Sequence, residues 1–400
     1  MKITQVDVMK LHTDRHFTPI VCRIYTDEGI YGDGEIALAY GQSRYAGFGI
    51  LKDFGLLILG KDPLDTEIIW DQLFSNTFWG CNGGPVTFGG ISAIDNALWD
   101  IKGKYFGVPV YRLLGGKRTE QLRTYASQLQ FGWSPNYEIM ATPEDYANAA
   151  KKAVAEGYDA IKADFFTYDR DGRTIRIPQE TQTLRPASYI NLVEERVAAV
   201  REAVGPDVDI IMENHSSTDA ASAVQLAKAC EKYRIFAFEE PSAATPKVTR
   251  FIHEQTSIPI AHGERIYGRW QFAPYFENGS VQLIQPDVGT CGGITEAKKI
   301  CDMARTYDVS VQVHACGSPL STAASLQLEC TLPNFSIHEH HRVGLCDYMR
   351  RLCKYDYQPV NGKFTVPELP GMGNELSDYA LEHCEKVTLK LGVDAPCFKT

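Results

Sequence analysis

The chain has no cluster of lysine and arginine, no unbroken apolar run long enough to span a bilayer, and no pair of cysteines at CxxC spacing. Each absence removes a class of function. Acidic residues outnumber basic ones, 50 to 40, for a formal net charge of −10, so no basic face is expected to track a nucleic acid. The most apolar stretch, GILKDFGLLILG, is broken by Lys52 and Asp53, which argues against a membrane span. The opening MKITQVDVMKL alternates like a strand and lacks the apolar core of a signal peptide. The 11 cysteines are odd in number, and Cys291, Cys301, Cys316, Cys330, Cys346 and Cys353 sit mostly in apolar stretches. Buried free thiols in a reducing cytoplasm are therefore expected, not a disulfide framework.

The chain is 400 residues long and 44% hydrophobic, enough for two domains. Residues 1–121 read as an α+β unit. Alternating segments flank a turn at Asp27-Glu28-Gly29, and helical patterns follow in DTEIIWDQLF and ISAIDNALWDIKGKYFG. In the second of these Ile94, Leu98 and Ile101 share a face, and Gly107 and Pro109 signal the stop. From Leu122 to about residue 360 short apolar runs alternate with helical patterns, the clearest being NLVEERVAAVREAVGP with Val193, Val197, Val200 and Val204 on one stripe. That alternation predicts parallel strands with helical crossovers. The tail, 361–400, is expected to return to the N-terminal unit.

Within the second unit Glu213, Glu239, Glu264, Asp287, His314 and Glu339 follow successive apolar runs at gaps, by subtraction, of 26, 25, 23, 27 and 25 residues. One strand–helix unit of a (β/α)₈ barrel uses about that many, since eight units take about 250 residues. The side chains at the strand ends of such a barrel face one mouth, where its active site lies. Three carboxylates converging there, Glu213, Glu239 and Glu264, cannot all stay ionised without a cation, and hard oxygen ligands suit Mg²⁺. Asp287 stands one strand before His314 and can orient it as a base. His215, two residues after Glu213, points the same way as Glu213 if strand geometry persists, which places it for general acid work. Lys162 lies inside the apolar strand YDAIKAD and needs a partner, either Asp164 or a substrate carboxylate. Glu339 sits among His338, His340 and His341. Between Lys162 and Glu213 lie about 25 residues more than one barrel unit needs, including Tyr168 to Gln182 and Arg170, Arg173 and Arg176, which suggests a lid or an inter-subunit arm.

These motifs resemble the enolase superfamily in its mandelate racemase-like branch. SAIDNALWDIKGKYFGVPVYRLLGG is similar to the end of that branch's capping domain, and FEEP (238–241), AHGER (261–265), QPDVGTCGGITEAKKI (285–300) and PGMG carry the rest. GER followed by RWQF, QPD with GGITE, and the Glu213-x-His215 arrangement are most similar to galactonate and related sugar-acid dehydratases. The resemblance implies a modified (β/α)₈ barrel under an α+β capping domain. It makes Glu213, Glu239 and Glu264 ligands of one Mg²⁺, Asp287 and His314 the base dyad, Glu339 a hydrogen-bonding partner of a substrate oxygen, and His215 the acid. The chain departs from the pattern twice. The first ligand is usually Asp, and here it is Glu213. Racemases of the branch carry Lys-x-Lys, and here the pair is Lys162 and Asp164.

Racemisation needs a base on each face of the enolate, and with the second lysine absent the pattern favours elimination. The expected reaction is dehydration of a sugar acid such as a galactonate, gluconate or mannonate to a 2-keto-3-deoxy acid. Two alternatives stand beside it: an epimerase or cycloisomerase using Asp164 as second base, and a non-catalytic sugar-acid binder. Specificity is expected in the capping loops and at the rim, at Arg15, His16, Trp79 and Arg265. A homo-oligomer between dimer and octamer is expected, with a small-molecule sugar acid as the ligand.

Overall fold

The computed structural model describes residues 1–13, 17–175 and 183–394. Arg15, His16 and Arg176 lie outside the described residues. Strands β1 (Ile3–Leu11), β2 (Ile20–Thr26) and β3 (Tyr31–Ile36) form an antiparallel meander. The turn between β2 and β3 carries Gly29 at φ +78°, a left-handed conformation that glycine adopts without steric penalty. Strand β3 lies against the long helix Pro85–Phe106. A Cβ at Gly32 or Gly34 would stand 2.1 or 1.9 Å from the carbonyl oxygens of Ala97 and Ala93, so glycine permits this close approach. The helix starts on Pro85 and ends at Gly107, φ +67°, the usual placement of the two residues.

The second unit is a curled sheet of eight parallel strands: β4 (Gln121–Ser127), β5 (Ala160–Asp164), β6 (Asp209–Glu213), β7 (Ala237–Glu239), β8 (Ile260–His262), β9 (Leu283–Ile284), β10 (Ser310–Val311) and β11 (His338–His341). They run in the order β10-β9-β8-β7-β6-β5-β4-β11. A parallel bridge from Val311 to Phe335, just ahead of β11, brings the two ends of the sheet together. Helices follow each strand from β4 to β10, among them Pro143–Ala155, Ala187–Val204 and Pro319–Glu329. Val193, Val197 and Val200 form the buried stripe of the second. Two short strands follow the barrel. β12 (Lys363–Thr365) runs antiparallel to β4, and β13 (Cys384–Lys390) pairs with β1. Between them the backbone N–H groups of Met372 and Leu376 donate to Asp100 and Asp33 of the N-terminal unit.

Helix Pro85–Phe106 also locks the two units together. The Ser92 hydroxyl accepts from the N–H groups of Gly292 and Gly293, Asn96 from Ile294, and Asp95 from both N–H and hydroxyl of Thr295. These barrel residues open the helix Gly293–Thr306, whose first N–H groups have no partner within the helix itself. The loop that carries Asp287 is thus held from outside the barrel.

The extra residues after Lys162 lie between β5 and the helix Ala187–Val204. The segment expected as a lid or an inter-subunit arm, Tyr168 to Gln182, lies outside the described residues from 176 on, and its start is packed against the barrel. Tyr168 is buried and bonded to the Tyr137 hydroxyl. Buried Arg196 donates to the carbonyls of Phe165, Ala141 and Asp169 at 2.7, 2.6 and 3.2 Å. These bonds pin the start of the segment to the barrel wall. The cysteines described are free, and Cys22, Cys230, Cys291, Cys301, Cys330, Cys346 and Cys353 are buried. No described helix is long and apolar enough to cross a membrane.

Candidate active site

Glu213 and Glu239 are the last residues of β6 and β7, Glu264 follows β8 by two residues, Asp287 and His314 follow β9 and β10 by three, and Glu339 is the second residue of β11. Lys162, in β5, is fully buried beneath them. Its Nζ lies 2.7 Å from Glu239, 2.9 Å from Glu339 and 3.4 Å from Glu213. Burial works against the charge, but these three carboxylates outweigh it and hold the lysine pKa well above its ordinary value. Asp164 is not its partner. Two residues along a strand face the same way but one layer higher in a barrel, and at that level Asp164 Oδ2 meets His215 Nδ1 at 2.9 Å.

His215 reaches the cluster by a different path from strand alternation. β6 ends at Glu213, and His215 and Ser216 take left-handed backbone conformations, φ +46° and +58°. Buried Asn214 fixes that turn by donating to Thr218 and to the Pro241 carbonyl. The turn folds the imidazole back so that Nε2 lies 2.9 Å from Glu213.

On the other side of the mouth His314 Nδ1 lies 2.6 Å from Asp287, and its Nε2 faces Glu264 at 3.2 Å. Burial opposes the charge on His314, but Glu264, Glu339 and Asp287 more than offset it and raise its pKa to about 10. β10 and β6 stand four places apart in a ring of eight, and so do β9 and β5. The pairs His314–Asp287 and His215–Asp164 are therefore related by half a turn of the barrel. Glu339 accepts from Ser127 Oγ, Lys162 and the Ala315 N–H. Burial would raise its pKa, but Lys162 and His314 bring it down to about 2, so it serves as an acceptor.

Ligand atoms of Glu213, His215 and Glu264 lie within 4.8 Å of one another. Glu239 adds a test of whether a cation fits. Burial raises its pKa to about 7 against the pull of Lys162, and its buried Oε2 has no hydrogen-bond partner. An oxygen so placed carries an uncompensated desolvation cost unless a cation or donor meets it. The donor set fits a divalent cation.

Of the remaining described candidates, Arg265 reaches the cluster and Trp79 does not. Arg265 pairs with Glu240 and, at 2.5 Å, with Glu264. Trp79 is 76% exposed and rests edge-on against Phe78, not drawn into the cluster. His338 and His340 turn outward to Glu329 and the Tyr158 hydroxyl, each at 2.6 Å, so the histidines of β11 form no joint metal site. Sequence reasoning missed Ser127, Gln128 and Gln130 at the end of β4. The polar residues that follow the apolar start of YASQLQ stand at no spacing that ties them to the other strand ends, Ser127 lying 37 residues before Asp164 by subtraction.

Residues 3–115 match the family model for the mandelate racemase / muconate lactonizing enzyme N-terminal domain, and residues 145–380 match the enolase C-terminal domain-like model. The chain belongs to the enolase superfamily. Among its superfamily relatives, a D-galactonate dehydratase of Ralstonia nicotianae is 33% identical over 94% of this chain and 93% of that protein. A D-xylonate dehydratase of Haloferax volcanii is 31% identical over 94% and 87%. Among solved structures, a member of the enolase superfamily from Salmonella Typhimurium superposes with a TM-score of 0.95 at 48% identity, covering 97% of this chain and all of that one.

Proposed function

We propose that the protein is a Mg²⁺-dependent dehydratase of sugar acids, of the aldonate type that the named relatives act on. The observation that carries this reading is the pair of opposed histidine–carboxylate dyads with a carboxylate cluster between them. Glu213, Glu239 and Glu264 would hold the cation. When bound, it supplies positive charge next to the substrate carboxylate. His314, fixed by Asp287 through Nδ1, would take the proton from the carbon beside that carboxylate once a cation on Glu264 offsets the negative charge that otherwise keeps the imidazole protonated. The negative charge that develops lies over Lys162, whose ammonium is desolvated and already placed. His215, fixed by Asp164, gives a proton to the β-hydroxyl from the opposite side, and water leaves. The resulting enol tautomerises to a 2-keto-3-deoxy acid. Glu339, acceptor-only, orients a substrate hydroxyl or the imidazole of His314.

The opposed histidines also suit a second reading, epimerisation next to the carboxylate, in which one removes a proton and the other returns it from the far face. A screen of aldonates and aldarates with Mg²⁺ separates the two. Keto acid release is expected. Deuterium uptake from D₂O with inversion and no loss of water would overturn the dehydratase reading in favour of the epimerase.

A further inference from the structure

Glu213 stands where the resemblance leads one to expect an aspartate. Its extra methylene adds a rotatable bond to a metal ligand, so some other group must fix the carboxylate. A chain of three hydrogen bonds ends on it. The Asp164 backbone N–H donates to Gln130 Oε1 at 3.1 Å, Gln130 Nε2 donates to Gln128 Oε1 at 2.8 Å, and Gln128 Nε2 donates to Glu213 Oε2 at 3.1 Å. The first donor is a backbone N–H and can only donate, so the polarity of both amides follows from it. Gln128 must turn its nitrogen, not its oxygen, toward the carboxylate.

The other carboxylate oxygen is held from the same origin. Asp164 Oδ2 meets His215 Nδ1, and His215 Nε2 meets Glu213 Oε1, each at 2.9 Å. Both arms of this bridle start at Asp164, one through its main chain and one through its side chain. Gln130 is fully buried and Gln128 only 7% exposed, so the relay works away from water, where such networks are strong when complete. Gln128 also sits in the left-handed region, φ +72° and ψ +39°. A non-glycine residue there is strained and persists where its surroundings demand it.

We infer that Gln128 is a positioning residue for the metal ligand Glu213, matched to the longer arm that glutamate gives this chain. The inference rests on the cation site proposed above. The test is Mg²⁺ binding by calorimetry, with Gln128→Leu and Gln128→Asn made in two backgrounds. Asn tolerates the left-handed conformation but is too short to reach, which guards against a folding defect in the leucine variant. In the wild-type background each substitution should weaken Mg²⁺ binding by about 10–100-fold, as loss of a group supporting a metal ligand does, in protein whose circular dichroism spectrum matches the wild type. Glu213→Asp withdraws the carboxylate by about 1.5 Å, beyond hydrogen-bond range of Gln128. In that background the same substitutions should change affinity by less than about threefold, since the contact is already gone. Equal losses in both backgrounds, or none in the wild type, would overturn the role of Gln128 while leaving the cation site standing. Wild-type protein that takes up no Mg²⁺ would overturn the cation site itself.

Discussion

Replacing His215 by asparagine should separate two steps that share one site. The side chain is 12% exposed, and its two nitrogens face Asp164 and Glu213 at 2.9 Å each. Asparagine is chosen because its amide N–H can still donate to buried Asp164. Removing the donor outright would leave a charged acceptor unsatisfied, at about 1–3 kcal/mol or more. What the variant lacks is a group able to protonate a leaving hydroxide. A placed general acid is worth about 10²–10⁴-fold, which corresponds to about 3–5 kcal/mol of barrier. Dehydration should fall by that factor. At saturating Mg²⁺, exchange of the proton beside the carboxylate should stay within about threefold of wild type, because His314 and Asp287 lie half a turn of the barrel away, paired with each other at 2.6 Å, and Gln128 still holds Glu213. Both rates can be read on one substrate, exchange by NMR in D₂O and keto acid by a colorimetric assay. Equal losses in the two rates would refute the division of labour and make His215 either the base or a structural residue.

His314→Asn should abolish both exchange and product formation; exchange at the wild-type rate in that variant would place the base elsewhere. Glu239→Gln replaces the carboxylate that has an unpartnered buried oxygen, and should weaken Mg²⁺ uptake at least about tenfold and abolish turnover, with a wild-type circular dichroism spectrum. Turnover by wild-type protein after exhaustive chelation would contradict it. Burial, helped by the neighbouring His338, His341 and Arg350, lowers the His340 pKa to about 3. An unfolded histidine titrates near 6.5, so the unfolded state binds the extra proton between those values. The stability that neutral His340 contributes is present above about pH 6.5 and is lost as pH falls toward 3, by up to about 1.4 kcal/mol per pH unit. The difference in unfolding free energy between wild type and His340→Gln should shift in favour of the variant over that range, and a pH-independent difference would contradict it.

The strand-end residues were legible because the barrel repeats. A spacing near 25 residues carries phase information, and six groups in phase imply one mouth. Contacts made across the ring carry no such phase. Asp164 and His215 are 51 residues apart by subtraction, with the long β5 connection between them, and meet because a left-handed turn after β6 folds the imidazole back. Strand alternation predicts the right direction for His215, but for a reason that does not apply past Glu213. Of the two partners considered for Lys162, Asp164 is not the one it meets, because a barrel interior is layered and residues two apart on one strand occupy different layers; Lys162 pairs with Glu213, Glu239 and Glu339 instead. Gln128 was invisible because one glutamine after an apolar run has no distinguishing spacing. Its importance comes from which amide stands behind it.

The bonds from Ser92, Asp95 and Asn96 to residues 292–295 bear on how the protein could be divided or recombined. Amide protons of Gly292, Gly293, Ile294 and Thr295 can exchange with solvent only when the N-terminal unit lifts away, so their protection reports docking of the two units, not local fraying. A ligand that steadies the Asp287 loop would slow exchange in the helix Pro85–Phe106 by the same linkage. Chimeras joining one superfamily member's barrel to another's cap would part these partners if cut at the apparent boundary. The unit of exchange is the helix together with the loop it caps.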